Sequence, residues 1–555
     1  MTEITVSEDL YRAPGAEERE ASAGGSAGGP APRAADLPLV TQALPGAFCF
    51  VLHSHLPWLP GHGVWPLGEE WLHQAWAESY LPLVAELDSL AADGHRDVLT
   101  LGVTPILAAQ LDHPRMLADV ATWAGLWEMR AREMGFDRDP HRRAMAAYDF
   151  RLAARARELL ATRWAGGGSP VLRSLRDNGV VELLGGPAAH PFLPLLLPEV
   201  AEVALEAGLS DSLWRLGARP RGIWSPECGF SPGLAPALQH SGVGHFIVDE
   251  QTVRDAGGRA SAAWQVRGTD VVAVPRDLSI TDLIWSSRSG YPAAGPYRDF
   301  HAREEFTGIR LWSITGPGLE RGQKHPYDPE AAAAQLDRDV AHFVEAVRAR
   351  LRAHAEAGAP GLVVAAYDTE LFGHWWHEGP AFLGRAVRAL RDAGVRVTTV
   401  EKAIGEGHVA GELDLGPGSW GAGKDFSVWN GPAVGQIAEE NERMQSRWLS
   451  LMAGQRAAGH LLTRRADLDQ LLCTLFNALS SDWAFLVTRE QSVDYAQRRA
   501  EGHRRDFHAL AQLIEDGRTP EAQKEAERQA RTDRTFPALD ARVTAGQAAP
   551  RAATG

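Results

Sequence analysis

Two short segments each place a carboxylate directly after an apolar run. Glu227 follows such a run in GIWSPECGF, and Asp368 ends one in VVAAYDTELFGHWW. Trp and His side chains accompany these acids, and no Lys or Arg stands beside Glu227. Cleavage of a glycosidic bond uses such a pair, because one carboxyl attacks or stabilises the anomeric carbon while the other protonates the leaving oxygen. The two acids therefore predict chemistry on a sugar.

The second acidic segment offers a choice of residue. Asp368 directly ends the apolar run and is the better catalytic candidate, with Glu370 as the alternative. His374 and the two Trp residues that follow it either shape the pocket or lock the loop. The Cys beside the first acid, Cys228, is a much weaker candidate for a nucleophile than Glu227.

Three histidines lie near the same predicted edge. His53 and His55 alternate in HSHLPW, so on an extended backbone they share one face. They fit hydrogen bonding to sugar hydroxyls or a structural role equally well, and an HxH metal pair less well. His190 follows the turn in ELLGGPAAHPF and reaches the same pocket or serves the structure, with the structural role slightly favoured.

Aromatic and polar residues elsewhere are candidate substrate contacts. Arg276 suits sugar hydroxyls or tuning of a carboxylate pKa, and Trp285 suits stacking, although an ion pair and a core position fit equally well. The other candidates are divided between cleft and core: Trp58, Trp65, Trp71, Trp420, Trp429, Asp482 and Gln491.

The elements that must position these residues alternate between strand-like and helix-like segments. The strand-like runs are Ala47–His53, Asp97–Val103, Val180–Leu184, Gly222–Trp224, His245–Val248, Val271–Val274, Ile309–Ile314 and Leu362–Tyr367. Helix-like stretches include Asp337–Ala357, whose helix is expected to begin near Pro329 with Asp328 as N-cap, and Ala381–Ala393. Such alternation predicts a parallel sheet, open or closed into a barrel, with polar motifs at the carboxyl ends of its strands.

The chain divides into four predicted parts. Residues 1–44 and 521–555 are rich in Ala, Gly, Pro and charged residues and are expected to be disordered tails. Residues 45–400 are expected to form the catalytic barrel. Apolar residues at helical spacing in Asn441–Met452 and Leu468–Leu479 predict a helical C-terminal domain over 401–520.

Composition excludes several classes of partner. The net charge of −15 disfavours nucleic acid and anionic membranes, whereas a neutral polysaccharide imposes no charge requirement.

The 18 Trp residues exceed what a core requires and suit a sugar-binding cleft. The spacing of Cys49, Cys228 and Cys473 favours buried thiols in a reducing cytosol over disulfides or zinc. The N-terminal residues lack a secretory apolar segment, so a cytoplasmic location is expected.

Taken together, five segments in order resemble glycoside hydrolase family 57. They are HSHLPW (53–58), ELLGGPAAHPFLPLL (182–196), GIWSPEC (222–228), AAYDTELFGHWW (365–376) and SWGAGKDFSVWN (419–430). The similarity extends from about residue 46 to about residue 510. A further segment, SDWAFLVTREQSVDY (481–495), is most similar to the 1,4-α-glucan branching enzymes of that family.

The resemblance implies an incomplete TIM-like (β/α)7 barrel, followed by a mostly helical C-terminal domain. It also implies a retaining mechanism with no metal or other cofactor, in which Glu227 matches the nucleophile and Asp368 the general acid/base. Pocket histidines are matched by His53, His55 and His190. Substrate-contacting positions are matched by Arg276, Trp285, Gly290, Trp420, Asp482 and Gln491. Aromatic cleft walls are matched by Trp65, Trp71 and Trp429.

The implied reaction cleaves an α-1,4 bond of a glucan and transfers the chain to a 6-hydroxyl, forming an α-1,6 branch. The expected partner is an α-glucan such as amylose or a glycogen-like polymer. Retention through a covalent intermediate predicts that the two carboxyl groups lie ~5–5.5 Å apart.

One feature departs from the family pattern. Branching members often carry a long loop with a catalytically important Tyr between the Glu motif and the Trp285 segment. Residues 228–284 contain no Tyr and leave no room for a long loop. Since that loop favours transfer to a sugar over transfer to water, its loss lowers the transfer efficiency that the resemblance implies.

Other functions remain open at this point. A 4-α-glucanotransferase or an α-amylase-type hydrolase of the same family would share the chemistry and form no α-1,6 linkages. A metal-dependent polysaccharide deacetylase would lose activity to a chelator. A non-catalytic glucan-binding protein would bind glucan without turnover.

Overall fold

The fold is built on a parallel sheet whose strands follow the apolar runs. The computed structural model describes residues 46–65, 67–286, 289–358 and 361–542. Within those ranges the strands are β1 Gly46–Ser54, β2 Leu99–Val103, β3 Val181–Leu184, β4 Gly222–Ile223, β5 His245–Val248, β6 Ala263–Val266, β7 Val272–Pro275, β8 Gly361–Asp368 and β9 Val409–Leu413.

Seven of the described strands run parallel in an incomplete barrel. β3, β2, β1 and β8 pair in that order, as do β4, β5 and β7. A bridge between Gly185 and Ile223 joins the first set to the second. At the other junction, the N–H of Asp277 donates to the carbonyl of Val364 at 2.7 Å. The (β/α)7 barrel expected from the sequence is confirmed.

The long apolar run before Asp368 forms β8 because both faces of this strand are covered. Val363 packs against the surrounding helices, and Val364 packs against other strands inside the barrel. The β8 residues from Gly361 to Tyr367 are all buried, as in parallel sheets covered on both sides. β6 and β9 extend the sheet outside the barrel, with β6 antiparallel to β7 and parallel to β9. The sequence analysis missed both, and β9 is mostly exposed and lacks an apolar run.

Helices surround the barrel and form the C-terminal region. Those of the first half are α1 Glu69–Ala75, α2 Leu81–Ala92, α3 Pro105–Leu111, α4 Pro114–Met134, α5 Pro140–Ala161, α6 Gly168–Asp177, α7 Pro198–Leu216, α8 Ala235–His240, α9 Glu250–Asp255 and α10 Leu278–Trp285. The remainder are α11 Pro329–Glu356, α12 Gly379–Asp392, α13 Val400–Gly405, α14 Ser427–Asn430, α15 Gly435–Ala457, α16 Ala466–Ala478, α17 Ser481–Thr488, α18 Val493–Glu515 and α19 Thr519–Asp533.

The predicted start of α11 is confirmed. Pro329 is its first residue, and the Asp328 carboxylate accepts a hydrogen bond from the Glu330 N–H at 2.9 Å. This bond satisfies one of the N–H groups that a helix leaves free at its first turn, and Pro needs no such partner.

The C-terminal region is helical, as expected, and has its own apolar core. Trp448 of α15, Leu471 and Phe476 of α16, and Phe507 of α18 pack together in that core. Ala109 of α3 and Ala204 of α7 belong to the same cluster, so the helical region packs against the barrel helices. The domain boundary at residues 400 and 401 stays a prediction.

The expectation of a disordered tail from residue 521 is wrong for residues 521–542. α19 buries Ala522 and Ala526, and Phe536 and Leu539 are buried after it. The two alanines lie four residues apart on one helical face, so a segment of low average hydrophobicity still presents an apolar stripe. The predicted tail 1–44 lies outside the described residues, and so do residues 543–555 of the predicted tail 521–555.

The expected strand Ile309–Ile314 is also wrong. Its backbone groups are divided between two different segments, residues 297–299 and residues 325–327, with two hydrogen bonds to each. Only isolated bridges result within this described part of the chain, while Ile309 and Leu311 still enter the core. The apolar residues of this segment therefore indicate burial in the core and not strand pairing in a sheet.

Across the described residues, the helices are each too short or too polar to cross a lipid bilayer.

Candidate active site

The barrel brings the predicted acids and histidines to the carboxyl ends of neighbouring strands. Asp368 is the last residue of β8, and in the ladder it lies opposite His53 of β1. Glu227 lies in a tight turn after β4, and His190 lies in the segment after β3. Because carboxyl ends of parallel strands meet at one edge, residues far apart in the sequence share one pocket.

Glu227 is held in a left-handed backbone conformation. Its φ and ψ are 61° and 22°, a region that costs a non-glycine residue ~1–3 kcal/mol and that often marks functional sites. The backbone N–H of Trp420 donates to the Glu227 carbonyl at 2.9 Å and stabilises this turn. The strained backbone of this turn thus fixes the position of the buried Glu227 carboxylate.

Both carboxylate oxygens of Glu227 accept hydrogen bonds. The indole N–H of Trp420 donates to Oε2 at 2.7 Å, and the hydroxyl of Ser481 donates to Oε1 at 2.8 Å. Burial raises the pKa of Glu227, while these two hydrogen bonds favour the ionised form and oppose the rise. The carboxylate is therefore fixed in orientation and assisted in staying charged.

A hydrogen-bond chain behind Glu227 fixes the protons of two histidines. While Glu227 is ionised, Ser481 must donate to it, so Ser481 Oγ accepts from Nδ1–H of His190 at 2.9 Å. Nε2 of His190 is then an acceptor, and Nε2–H of His53 donates to it at 3.1 Å. Burial lowers the pKa of both histidines well below the usual value, which agrees with two neutral rings.

His55 belongs to a second chain in the same pocket. Its Nε2 lies 2.9 Å from Oδ2 of Asp482, and its Nδ1 lies 3.1 Å from the Thr104 hydroxyl. Burial opposes ionisation of Asp482, but the charge and hydrogen bond of His55 lower the pKa of that carboxyl to about 2. The His55 and His190 rings stack with centroids 3.8 Å apart, so the two chains form one polar cluster.

Asp368 differs from Glu227 in the charges that surround it. Burial raises the pKa of Asp368 well above its usual range, and the negative charges of Glu370 and Glu227 raise it further, while Arg276 opposes the rise. Glu370 accepts a hydrogen bond from the Tyr80 hydroxyl at 2.5 Å, and burial raises its pKa to about 7. Asp368 therefore retains its proton to higher pH than an ordinary aspartic acid does.

A buried ion pair and two tryptophans form one wall. Arg276 donates from Nε and Nη2 to Oδ2 of Asp249 at 3.0 and 2.7 Å, and its guanidinium lies 5.3 Å from the centre of the Trp420 ring. The ring of Trp285 lies 5.7 Å from that of Trp420. Three of the predicted substrate contacts are therefore neighbours, with Trp420 between Arg276 and Trp285.

The remaining predicted substrate contacts differ in exposure and in the residues that surround them. Trp65 is 71% exposed, whereas Trp71 packs partly buried against the barrel core. Trp429 is 3% exposed and stacks on Phe192 with centroids 4.2 Å apart. Gly290 follows α10 in a turn where a Cβ would lie 2.5 Å from the Ser286 carbonyl oxygen, and Gln491 is buried after α17. Their roles in substrate binding stay predictions.

Three groups of this pocket lie close enough together to suggest a metal site. Ligand atoms of His55, His190 and Asp482 lie within 4.8 Å of one another. Both ring nitrogens of each histidine already have protein partners, so a cation would have to displace hydrogen bonds that orient Glu227 and Asp482. The donor set fits a polar network better than a metal centre.

Sequence reasoning missed several residues of the site. Ser481 bonds the predicted nucleophile, Thr104 bonds His55, Tyr80 bonds Glu370, and the Trp224 ring stacks on His53 with centroids 4.4 Å apart. Ser481 and Trp224 lie inside quoted motifs, so their positions carried a signal. The buried thiol of Cys228, whose pKa is raised by burial, has the properties of a packing residue.

Residues 49–415, more than half of the chain, match the model described as glycosyl hydrolase family 57. The chain belongs to this family. Residues 440–543 match a second model, described as 1,4-alpha-glucan branching enzyme, C-terminal. The family 57 resemblance and its branching-enzyme type are thereby confirmed.

Relatives within family 57 cover nearly the whole chain. A probable 1,4-alpha-glucan branching enzyme of Mycobacterium tuberculosis is 44% identical over 518 residues, which cover 90% of this chain and 98% of that protein. A 1,4-alpha-glucan branching enzyme of Thermococcus kodakarensis is 31% identical over 504 residues, covering 84% of this chain and 73% of that protein.

Solved family 57 structures have the same architecture. The branching enzyme of Thermococcus kodakarensis, crystallised in complex with glucose, superposes with a TM-score of 0.82 at 29% identity, covering 89% of this chain and 96% of that one. The α-amylase AmyC of Thermotoga maritima superposes with a TM-score of 0.81 at 27% identity, covering 90% and 99%. The barrel and the helical region are therefore shared by a transferase and a hydrolase.

Proposed function

We propose that this protein is a 1,4-α-glucan branching enzyme, which cuts an α-1,4 bond and rejoins the chain through a 6-hydroxyl. The match of residues 440–543 to the branching-enzyme C-terminal model supports this function. So do the names of the relatives from Mycobacterium tuberculosis and Thermococcus kodakarensis. The proposed partner is an α-glucan of the amylose or glycogen type.

One observation carries the proposed chemistry: two buried carboxyls lie close enough for the charge of Glu227 to raise the pKa of Asp368, and they differ in the groups around them. Hydrogen bonds from Trp420 and Ser481 favour the ionised form of Glu227, whereas burial and the charge of Glu370 raise the pKa of Asp368 and favour its protonated form. A retaining glycosidase mechanism needs one carboxylate and one carboxylic acid. Glu227 is accordingly the nucleophile and Asp368 the general acid.

In the first step Glu227 attacks C1 of the glucosyl unit as the C1–O4 bond breaks. Asp368 gives its proton to the departing O4, and a covalent glucosyl ester forms on Glu227 through an oxocarbenium-like transition state. Ester formation removes the negative charge of Glu227, which lowers the pKa of Asp368 once its proton has left. Asp368 is then ready to act as a base.

In the second step the 6-hydroxyl of an acceptor glucan attacks C1 of the ester. Asp368 takes the hydroxyl proton, Glu227 leaves as a carboxylate, and the anomeric configuration is retained. The wall formed by Arg276, Trp285 and Trp420 offers a guanidinium and indole faces for the bound glucan. His53, His55 and His190 border the reacting unit.

Incubation of the purified protein with amylose, followed by proton NMR of the product, tests this function. Branching predicts new α-1,6 anomeric signals with little gain in reducing ends. Glu227→Gln removes the nucleophile at constant size and should abolish both changes. Glu412→Gln, at an exposed position of β9, is the matched control and should behave as the unaltered protein.

An α-amylase-type hydrolase is the second candidate. Residues 228–284 connect Glu227 to Trp285 through short elements, without the long loop that favours transfer. Rising reducing ends without α-1,6 signals in the same NMR experiment would establish hydrolysis in place of branching.

A further inference from the structure

A cavity of about 820 Å³ lies between the segment around Trp65 and one face of α18. Buried side chains of Tyr495, Arg499, His503 and Asp533 form its floor. The exposed ring of Trp65 stands at its rim, together with exposed arginines of α18. The volume lies within the ~300–1,000 Å³ typical of small-ligand sites.

The floor of this cavity is rigidly built. Arg499 donates to the Trp58 carbonyl at 2.6 Å and to the Tyr495 hydroxyl at 2.8 Å. His62 Nε2 lies 2.6 Å from a carboxylate oxygen of Asp533. These contacts hold the Arg499 guanidinium and the Asp533 carboxylate in place, so the lining is fixed before any ligand binds.

The charges of the lining select a neutral ligand rich in hydroxyls. Three guanidinium groups and three carboxylates line the cavity: Arg498, Arg499, Arg505, Asp494, Asp506 and Asp533. An anion would meet the carboxylates, and a cation would meet the guanidinium groups. Sugar hydroxyls both donate and accept, so they can pair with both kinds of group.

A metal fits this cavity less well, although His62, His503 and Asp533 lie close together. Arg499 Nη2 lies 3.2 Å from Nε2 of His503, and Arg can only donate, so this nitrogen already uses its lone pair. Burial and the charge of Arg499 lower the pKa of His503 to about 3, so the ring is neutral. The nearby guanidinium would also repel a cation.

The cavity adjoins the catalytic pocket through one shared wall. The Arg499 guanidinium lies 4.7 Å from the centre of the Trp483 ring. Trp483 directly follows Asp482, whose carboxylate pairs with His55 in the catalytic pocket. A ligand in the cavity is therefore separated from that pocket by the segment that carries Asp482.

We propose that this cavity binds the acceptor α-glucan of the branching reaction, an inference that rests on the proposed function. Branching needs two glucan chains at once, and the donor occupies the pocket of Glu227 and Asp368. The reacting unit of the acceptor lies beside the ester on Glu227, and the cavity, on the other side of the segment that carries Asp482, holds a more distant part of the same acceptor chain. The exposed face of Trp65 provides a stacking surface at its entrance.

Gly502→Trp tests the proposal by filling the cavity. Gly502 lies in α18 on the cavity lining, and a Cβ there meets no heavy atom within 4 Å. Formation of α-1,6 linkages should fall roughly tenfold or more, because the indole denies the acceptor its site. Release of reducing ends from amylose should persist or rise, since water then replaces the acceptor.

Gly454→Trp is the matched control. Gly454 lies on an exposed face of α15, also without heavy atoms within 4 Å of a Cβ, so it carries the same substitution outside the cavity. It should give the linkage yield and the thermal midpoint of the unaltered protein. Equal branching by Gly502→Trp and Gly454→Trp would overturn the acceptor site.

Arg498→Ala provides a second test that should leave the stability of the fold unchanged, because this side chain is exposed at the rim of the cavity. It should raise the concentration of added maltooligosaccharide acceptor needed for half-maximal transfer, with donor cleavage unchanged. If Gly502→Trp loses cleavage, transfer and thermal stability together, this titration decides, and an unaltered midpoint would overturn the proposal. Absence of α-1,6 linkages with the unaltered protein would instead refute the proposed function itself.

Discussion

The hydroxyl of Ser481 is predicted to hold the proposed nucleophile in its ionised form. Ser481→Ala removes the donor 2.8 Å from Oε1 of Glu227 and leaves Nδ1–H of His190 without its acceptor. A hydrogen bond to a charged group contributes ~1.5–3 kcal/mol, which corresponds to roughly 10- to 150-fold in the ionisation equilibrium of Glu227. The effect on rate should therefore depend on pH.

The sign follows from which form of Glu227 reacts. The carboxylate attacks C1, so kcat/KM falls as the pH falls through the pKa of Glu227. The hydrogen bond from Ser481 lowers that pKa, so its removal raises it and moves the acidic limb of the profile to higher pH. At pH values below both acidic limbs, kcat/KM of the variant should be about 10- to 150-fold lower than that of the unaltered protein. At pH values above both limbs, the two kcat/KM values should be equal.

Profiles of initial α-1,4 cleavage against pH measure this effect. Ser480→Ala is the matched control, because the neighbouring hydroxyl donates to Asp482 at 2.5 Å and not to Glu227. The pKa of the Asp482 carboxyl is about 2, and loss of the Ser480 hydrogen bond raises it by only ~1–2 units. Asp482 therefore stays ionised near neutral pH, and the acidic limb of Glu227 should not move. A Ser481→Ala profile parallel to that of the unaltered protein at every pH would refute the reasoning.

Three further substitutions test the surroundings of the site. Glu370→Gln removes a charge that raises the pKa of Asp368, so the alkaline limb of kcat/KM should move to lower pH, and a fixed limb would contradict Asp368 as the acid. Arg276→Ala leaves Asp249, which is 0% exposed, with Lys424 as its remaining ion-pair partner. Urea unfolding should show a loss of ~3–5 kcal/mol, and a midpoint equal to that of the unaltered protein would contradict this estimate of the pair. Gly208→Ala places a Cβ 2.2 Å from the Gly186 carbonyl oxygen, so the free energy of unfolding should fall by ~1–3 kcal/mol. An unchanged midpoint of thermal unfolding would show that the backbone relaxes and would contradict this prediction.

Much of the barrel could be predicted because its parallel strands are buried on both faces. A strand such as β8 must then be apolar along its length, which the sequence displays as a continuous run. β9 faces solvent over most of its residues and shows no such run, so it was missed. The segment Ile309–Ile314 shows the converse, because its apolar residues enter the core without forming a ladder.

The acids of the proposed site could be predicted because Asp368 ends an apolar strand and Glu227 lies in the turn that follows another strand. Their electrostatic difference was not, because it depends on partners distant in the sequence. Ser481, which bonds Glu227, lies 254 positions away, and Tyr80, which bonds Glu370, lies 290 positions away. Only the folded barrel and the packed helical region bring these pairs together, so the sequence around each acid does not indicate its partner.

The identity of the nucleophile is the central claim, and a trapped intermediate tests it most directly. Asp368→Asn should still form the ester from an α-maltooligosyl fluoride, because fluoride departs without a proton, but should hydrolyse or transfer it slowly for lack of a base. Proteolysis and mass spectrometry should then find the saccharide on the peptide that contains Glu227. An adduct on Glu370 or on any other residue would contradict the account.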